Sequence, residues 1–191
     1  MIRIGVVGGI GYGKSFIAKN FGYPVFNADI EVNKIYKKNI KCFRKFKKKF
    51  PKNIITFPIK KKELFKVIRR NESNIKKINK IIHPEVRLSL KSFIKKNSKK
   101  KAIVLDIPLL LEERINRRKD VLIFVQANKK EVYKRLKKRE NFSLNIYKKL
   151  KKLQLSLEYK KKKSNFLIKN DFNPLTVKKN IKIIKKKIFK K

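Results

Sequence analysis

The chain has 191 residues, which is enough for one domain with a buried core and a small insertion. No apolar run reaches the roughly 18–20 residues that span a bilayer. The first apolar stretch of the chain, residues 2–7, is too short for a signal peptide. The single cysteine, Cys42, excludes an internal disulfide framework and fits a reducing compartment. We therefore expect a cytoplasmic protein without a membrane partner. A monomer is a separate expectation.

The net charge of +44 arises from 57 basic and 13 acidic residues. Such a charge is typical of nucleic-acid-binding proteins. However, the 47 lysines are spread through every segment, and the other abundant residues (isoleucine, asparagine and phenylalanine) also have AT-rich codons. We interpret the lysines mainly as a genome bias on solvated helix faces, with no specific nucleic-acid partner. A basic nucleic-acid-binding protein remains the alternative from a different functional class.

Short apolar strands alternate with helical patterns along the chain. In chain order, the predicted strands cover residues 2–7, 24–26, 102–105, 121–125 and 166–168. The predicted helices between them cover residues 14–21, 29–37, 129–139, 144–163 and 175–189. Strands alternating with helices indicate an α/β fold, with a parallel sheet of about five strands flanked by helices. The long segment 38–100 is helical in pattern, is broken near Pro51 and Pro58, and reads as a helical insertion.

Residues 8–15 match the phosphate-loop pattern G-x-x-x-x-G-K-[ST], between a predicted strand and a predicted helix. Glycines let backbone N–H groups point at phosphate oxygens, and the N-terminus of the helix adds to this attraction. We expect Lys14 to reach the β- and γ-phosphates of ATP and Ser15 to bind Mg²⁺. The expected ATP-binding residues of this region are Gly8, Gly9, Ile10, Gly11, Tyr12, Gly13, Lys14, Ser15 and Phe16.

A phosphate loop alone does not separate kinases from GTPases, ATPases or helicases. The sequence has no Asn-Lys-x-Asp guanine-reading motif, and the chain is too short for a helicase motor. Three further polar segments mark the chain. These are Asn27-Ala28-Asp29, His83-Pro84-Glu85-Val86 and the segment from Asp106 to Glu112.

Together these motifs resemble those of the dephospho-coenzyme A kinases. The loop is similar to their Gly-Gly-Ile-Gly-Ser-Gly-Lys-Ser-Thr, and the three polar segments are similar to their Asp-Ala-Asp, His-Pro-x-Val and Pro-Leu-Leu-x-Glu. Further matches lie downstream. They are the two arginines of the lid helix (Arg135 and Arg139), a Gln-x5-Lys spacing (Gln154 and Lys160) and a short strand that ends in asparagine (Asn170).

The resemblance implies transfer of the γ-phosphoryl group of ATP to the ribose 3′-hydroxyl of dephospho-coenzyme A, with Mg²⁺, in the last step of coenzyme A synthesis. It also implies a nucleotide-binding core (1–37, 101–128 and 164–191), a helical substrate-binding insertion (38–100) and a helical lid (129–163). A nucleoside or nucleotide kinase of similar fold remains the nearest enzymatic alternative.

The expected catalytic residues are Asp29, Lys14 and Arg139. The family's first aspartate is Asn27 here, which cannot act as a base, and Asp120 precedes its strand and so faces the opposite sheet edge. Asp29 is therefore expected to accept the proton of the acceptor hydroxyl.

The remaining expected contacts follow from the family's positions. Arg135 and Arg139 lie four residues apart on the predicted helix, so we expect them to share one of its faces. Both arginines and Asn170 are expected to bind ATP. The expected substrate-binding residues are Asp29, His83, Arg87 and Asp106, and a role of Asp106 in orienting the waters of Mg²⁺ stays open.

Overall fold

The computed structural model describes residues 1–71, 73–140 and 142–190. In these ranges the strands are β1 (Ile2–Gly8), β2 (Val25–Asn27), β3 (Ala102–Asp106), β4 (Val121–Ala127) and β5 (Phe166–Asn170). The helices are α1 (Lys14–Asn20), α2 (Ala28–Lys38), α3 (Ile40–Lys49), α4 (Lys61–Arg70), α5 (Ser73–Lys96), α6 (Lys129–Lys137), α7 (Leu144–Lys152), α8 (Leu157–Lys162) and α9 (Pro174–Phe189). No helix in the described ranges combines the length and the apolar character that crossing a membrane requires.

The five strands form one sheet in the order β2-β3-β1-β4-β5, and every neighbouring pair is parallel. The prediction of a parallel five-stranded sheet flanked by helices is therefore confirmed. Because the strands run in one direction, their last residues meet at a single edge of the sheet. Those last residues are Gly8, Asn27, Asp106, Ala127 and Asn170.

The sheet is held by apolar side chains beneath a lysine-rich surface. All five residues of β3 are buried, as expected for a parallel strand with both faces covered. Helix α9 is rich in lysine, yet its buried positions recur at helical spacing: Val177, Ile181, Ile184 and Ile188. Burying each such side chain stabilises the fold by roughly 1.5–3 kcal/mol.

The chain divides into two compact units. The sheet unit comprises Met1–Asn27 together with Asn97 and the residues that follow it, and the helical unit comprises Ala28–Lys96. The described residues of the helical unit contain α2 to α5 and no strand. Burial, followed by the charge of Glu85, raises the pKa of the Cys42 thiol to about 11, so this buried thiol stays neutral. The division into core, insertion and lid remains a prediction.

The predicted single helix over residues 144–163 is wrong, because two helices, α7 and α8, occupy this segment. The Ser156 hydroxyl accepts a hydrogen bond from the Tyr159 N–H at 3.1 Å and caps α8. The N–H of Leu155, the residue before Ser156, donates to Glu112 Oε1 at 3.0 Å instead of to a carbonyl of α7. These side-chain acceptors replace the helical hydrogen bonds and separate the two helices.

A buried ion pair joins α8 to the loop that follows β3. Lys160 Nζ lies 2.7 Å from Glu112 Oε1, and the two side chains are only 1% and 9% exposed. Removing one partner of such a pair leaves an uncompensated charge in the interior, which is costly. The pair therefore ties α8 to the loop that follows β3.

Replacing Lys160 by Met should lower the free energy of unfolding by about 3–5 kcal/mol, because the Glu112 carboxylate then stays buried without its cation. Urea denaturation followed by circular dichroism measures this change. The matched control is Lys34→Met, since Lys34 forms an exposed pair with Glu31 and should cost about 0–1 kcal/mol. The double variant Lys160→Met with Glu112→Leu should be more stable than Lys160→Met alone. A cost for Lys160→Met equal to that of the control would contradict a stabilising role for the buried pair.

Candidate active site

The phosphate loop connects β1 to α1 at the carboxyl edge of the sheet. Gly11 and Gly13 both have a φ of +81°, a backbone conformation that strongly favours glycine. At Gly13 a Cβ atom would also collide with the side-chain amide of Asn170. The glycine positions of the motif therefore serve both the loop's curvature and its close approach to β5.

Lys14 is the first residue of α1, and its side chain folds back over the loop. The ammonium Nζ donates to the carbonyl oxygen of Gly9 at 2.7 Å and to that of Gly8 at 3.3 Å. The positive charge is thus held over the loop by two of its own carbonyl oxygens. The next side chains, Ser15 and Phe16, are exposed in the first turn of α1. The exposed Ser15 hydroxyl is an oxygen ligand of the kind that Mg²⁺ accepts beside phosphate oxygens.

Asn170, the last residue of β5, ties the loop to the sheet. Its side chain is buried, with Nδ2 donating to the Tyr12 carbonyl at 2.9 Å and Oδ1 accepting from the Phe172 N–H at 2.9 Å. Both ends of the amide are therefore bonded to backbone, which fixes the loop against the end of β5. Burial, with a smaller contribution from Tyr147, raises the pKa of Tyr12, so its phenol stays neutral beside the loop.

Of the two arginines predicted on one helix, Arg135 lies on it and Arg139 does not. Helix α6 ends at Lys137, and Arg139 lies in the following turn, where its N–H donates to the Leu136 carbonyl at 3.1 Å. The prediction that Arg135 and Arg139 share a helix face is therefore wrong. Arg135 does lie on α6, where its Nε is 3.1 Å from Glu131 Oε1. Arg139 is exposed, and the structure shows no ion pair between it and a described carboxylate.

Sequence reasoning missed Phe172. Its ring lies near Gly13 and 4.3 Å below the guanidinium of Arg135, so it stands between the loop and α6. A guanidinium over an aromatic face is an attractive, orienting contact. The only sequence signal is the position of Phe172, two residues after Asn170, because its partners lie far away along the chain.

Asn27 and Asp106 face each other at the ends of the neighbouring strands β2 and β3. The amide of Asn27 donates to a carboxylate oxygen of Asp106, which is only 3% exposed. An aspartate at position 27 would bring two like charges together here, whereas asparagine supplies a donor. Asp106 thus lies at the edge that carries the phosphate loop, as predicted.

The other three expected substrate residues belong to the helical unit. Asp29 is exposed in the first turn of α2, where a carboxylate is favoured by the helix dipole. His83 and Arg87 lie four residues apart on α5, which places them on one face of that helix. Helices α2 and α5 pack against each other within this unit, so the structure assigns all three residues to one helix pair.

Comparison with known proteins identifies the relatives of the chain. The family model for dephospho-CoA kinase matches residues 2–175. A dephospho-CoA kinase from Wolbachia pipientis wMel is 36% identical over 172 residues, which cover 86% of this chain and 87% of the relative. The chain belongs to the dephospho-CoA kinase family.

Two solved structures share the fold of the chain. TT1252 from Thermus thermophilus aligns with a TM-score of 0.76 at 25% identity and covers 98% of this chain and 97% of its own. A dephospho-CoA kinase from Campylobacter jejuni aligns with a TM-score of 0.66 at 24% identity, covering 99% and 98%, and this likeness concerns the fold. The family model and the relative from Wolbachia confirm the predicted family and the predicted enzyme class, an ATP-dependent kinase.

For this dephospho-CoA kinase family member, we expect Asn170→Asp to lower ATP affinity about tenfold or more. The acceptor for the Phe172 N–H is kept, but a carboxylate oxygen would face the Tyr12 carbonyl and repel it, which loosens the loop. Equilibrium titration with a non-hydrolysable ATP analogue measures the affinity. The matched control is Asn180→Asp, because the Asn180 amide also donates to a carbonyl, that of Lys169, but at an exposed position. Equal affinities for the two variants would show that the Asn170 bond does not shape the loop.

Proposed function

We propose that the chain transfers the γ-phosphoryl group of ATP to the ribose 3′-hydroxyl of dephospho-CoA, with Mg²⁺ as the metal. The observation that carries the proposal is the phosphate loop of a dephospho-CoA kinase family member, held at the carboxyl edge of the sheet with the Lys14 ammonium over it. The 3′-hydroxyl as acceptor follows from the motifs that the chain shares with the family.

Phosphoryl transfer depends on positioning and charge neutralisation more than on covalent chemistry. The loop holds the phosphates through its backbone, and Lys14 exchanges the carbonyls of Gly8 and Gly9 for the β- and γ-phosphate oxygens. Mg²⁺, when bound, neutralises charge between these phosphates, and the exposed Ser15 hydroxyl is the side chain that would hold it. Asn170 acts on ATP through the loop, since both ends of its amide bond to backbone.

We infer that Asp29 accepts the proton of the acceptor hydroxyl. Asp29 is exposed, whereas Asp106 is buried at the end of β3. A buried carboxylate at the sheet edge is better suited to orient a substrate group or a metal-bound water than to receive a proton. His83 and Arg87, on the helix that packs against the helix of Asp29, contact the same substrate in this proposal.

Arg139 is the arginine that we assign to the transferred phosphoryl group. Arg135 is engaged by Glu131 and by the ring of Phe172, so we infer that it positions the nucleotide side of the site. Arg139 follows in an exposed turn, from which a guanidinium can approach the γ-phosphate when the predicted lid closes. A planar fork that binds two oxygens stabilises the charge that spreads over the transferred group.

The function is tested by coupled ADP release with ATP and Mg²⁺ and a panel of acceptors. Dephospho-CoA should give the highest kcat/KM, well above adenosine, AMP and pantetheine. Lys14→Ala is the control for contaminating kinases and should lose more than about tenfold, or roughly 1.4 kcal/mol of barrier stabilisation. A preference for AMP or adenosine would instead make the chain a nucleotide or nucleoside kinase.

Asp29→Asn should lower kcat about 10²–10⁴-fold, because the variant keeps the size of the side chain but loses the base. ATP binding and the free energy of unfolding should stay near those of the parent. Asp106→Asn is the comparison, and it should affect KM for the acceptor or for Mg²⁺ more than Asp29→Asn does. A parental kcat for Asp29→Asn together with an inactive Asp106→Asn would reverse the two roles.

Arg139→Lys should lower kcat by more than it changes the affinity for ATP, although the charge is kept. A lysine is a point donor and cannot bind two phosphoryl oxygens as a guanidinium does. Steady-state kinetics at saturating acceptor, with a separate ATP titration, measure both quantities. The matched control is Arg69→Lys in α4, another exposed arginine. If both variants behave like the parent, Arg139 is a surface residue without a part in transfer.

A further inference from the structure

A cavity of about 620 Å³ lies at the edge of the sheet opposite to the phosphate loop. Asp120, which directly precedes β4, and Asn165, which directly precedes β5, both line it. In a parallel sheet the amino-terminal ends of the strands share the edge away from the loop. The seven residues of β1 separate the two edges by roughly 20 Å, at about 3.3 Å per residue. A ligand in this amino-edge cavity would therefore not touch the phosphates held by the loop.

Cations outnumber carboxylates in the lining of the amino-edge cavity. The charged residues are Arg114, Arg117, Arg118, Lys163, Glu112 and Asp120. Both carboxylates already have partners that do not line the cavity. Glu112 pairs with buried Lys160, and Asp120 Oδ2 lies 3.0 Å from buried Arg3 Nη2. The charge of Arg117 also favours the ionised form of Asp120. Arg114, Arg118 and Lys163 form no ion pair with a carboxylate of the described residues.

Three arginines are concentrated in the lining of the amino-edge cavity. They lie within residues 114–118 and make up three of the ten arginines in a chain with 47 lysines. A genome bias towards lysine does not account for them, and their side chains form no ion pair with a carboxylate of the described residues. The loop that carries them is closed by the Arg117 N–H, which donates to Asp120 Oδ2 at 2.9 Å. Guanidinium groups bind phosphate through two parallel hydrogen bonds, which lysine cannot do.

The remaining walls offer apolar surface beside the cations. Leu111, Leu122 and Leu155 line the cavity, together with the exposed ring of Tyr159. The volume lies in the range of sites for small organic molecules, about 300–1,000 Å³. Inorganic phosphate alone would leave most of this space unfilled.

We propose that the amino-edge cavity is a second anion site, which binds a phosphorylated small molecule of about mononucleotide size. The phosphate is held by the arginines of residues 114–118, and the organic part lies against the leucines and the Tyr159 ring. The site is separate from the phosphate loop, so its ligand is an effector and neither the phosphoryl donor nor the acceptor.

The test is a calorimetric titration with uridine 5′-monophosphate at about 0.15 M salt, where diffuse attraction to the lysine surface is screened. The phosphate loop is first saturated with a non-hydrolysable ATP analogue and Mg²⁺. The parent should bind one uridine 5′-monophosphate more tightly than it binds inorganic phosphate. Arg114→Gln, Arg117→Gln and Arg118→Gln combined should weaken this binding about tenfold or more, while kinase activity is retained.

The matched control removes the same charge elsewhere in the sheet unit, by Lys178→Gln, Lys182→Gln and Lys186→Gln on the exposed face of α9. It should change the affinity less than about twofold. Equal losses in both triple variants, or no saturable binding by the parent, would overturn the proposal. The parent could also bind a short oligonucleotide more tightly than uridine 5′-monophosphate and lose that binding in the triple arginine variant. That result would overturn the small-molecule proposal in favour of nucleic acid. If the triple arginine variant does not fold, Arg118→Gln alone should still weaken binding at least about threefold, and parental affinity would refute the site.

Discussion

The hydrogen bond from Asn170 to the Tyr12 carbonyl holds the phosphate loop at the edge where the five parallel strands end. The loop depends on this bond because its glycines allow the required curvature without enforcing it. Gly13 has no side chain, and the amide of Asn170 fills the place that a Cβ would take. Oδ1 of the same asparagine accepts a hydrogen bond from the Phe172 N–H, and the guanidinium of Arg135 lies over the Phe172 ring. The phosphate loop, the end of β5 and Arg135 thus form one connected arrangement within the sheet unit.

The unusual charge of the chain has little effect on its fold. In α9 the apolar residues keep their helical spacing beneath the lysines, and the core cluster of the sheet unit is built from aliphatic and aromatic side chains. Each buried charged group of the described residues has a specific partner, including Asp106, which accepts a hydrogen bond from Asn27. Lys160 pairs with Glu112, and Arg3 pairs with Asp120. The arginines of residues 114–118 differ from the lysines in their distribution. They are gathered around a cavity, whereas the lysines are spread over the surface.

The strands were predictable because buried parallel strands appear as short apolar runs. β3 follows this pattern up to its last residue, Asp106, and β1 departs from it only at Arg3 and its glycines. The phosphate loop was predictable because its residues are contiguous in the sequence. The break between α7 and α8 was not, because it depends on Glu112, a tertiary acceptor 43 residues from Leu155. The contact between Phe172 and Arg135 likewise joins distant segments. The roles of Asp29, His83 and Arg87 remain predictions from the resemblance.

The most direct test of the proposed function is the destination of the transferred phosphoryl group. The enzyme would be incubated with Mg²⁺, dephospho-CoA and ATP carrying an isotopic label in its γ-phosphate, and the products would be separated and identified. We predict that the label appears as a phosphomonoester on the ribose 3′-hydroxyl of the acceptor, in an amount equal to the ADP formed. Label recovered as inorganic phosphate at a rate that dephospho-CoA does not change would contradict the proposal.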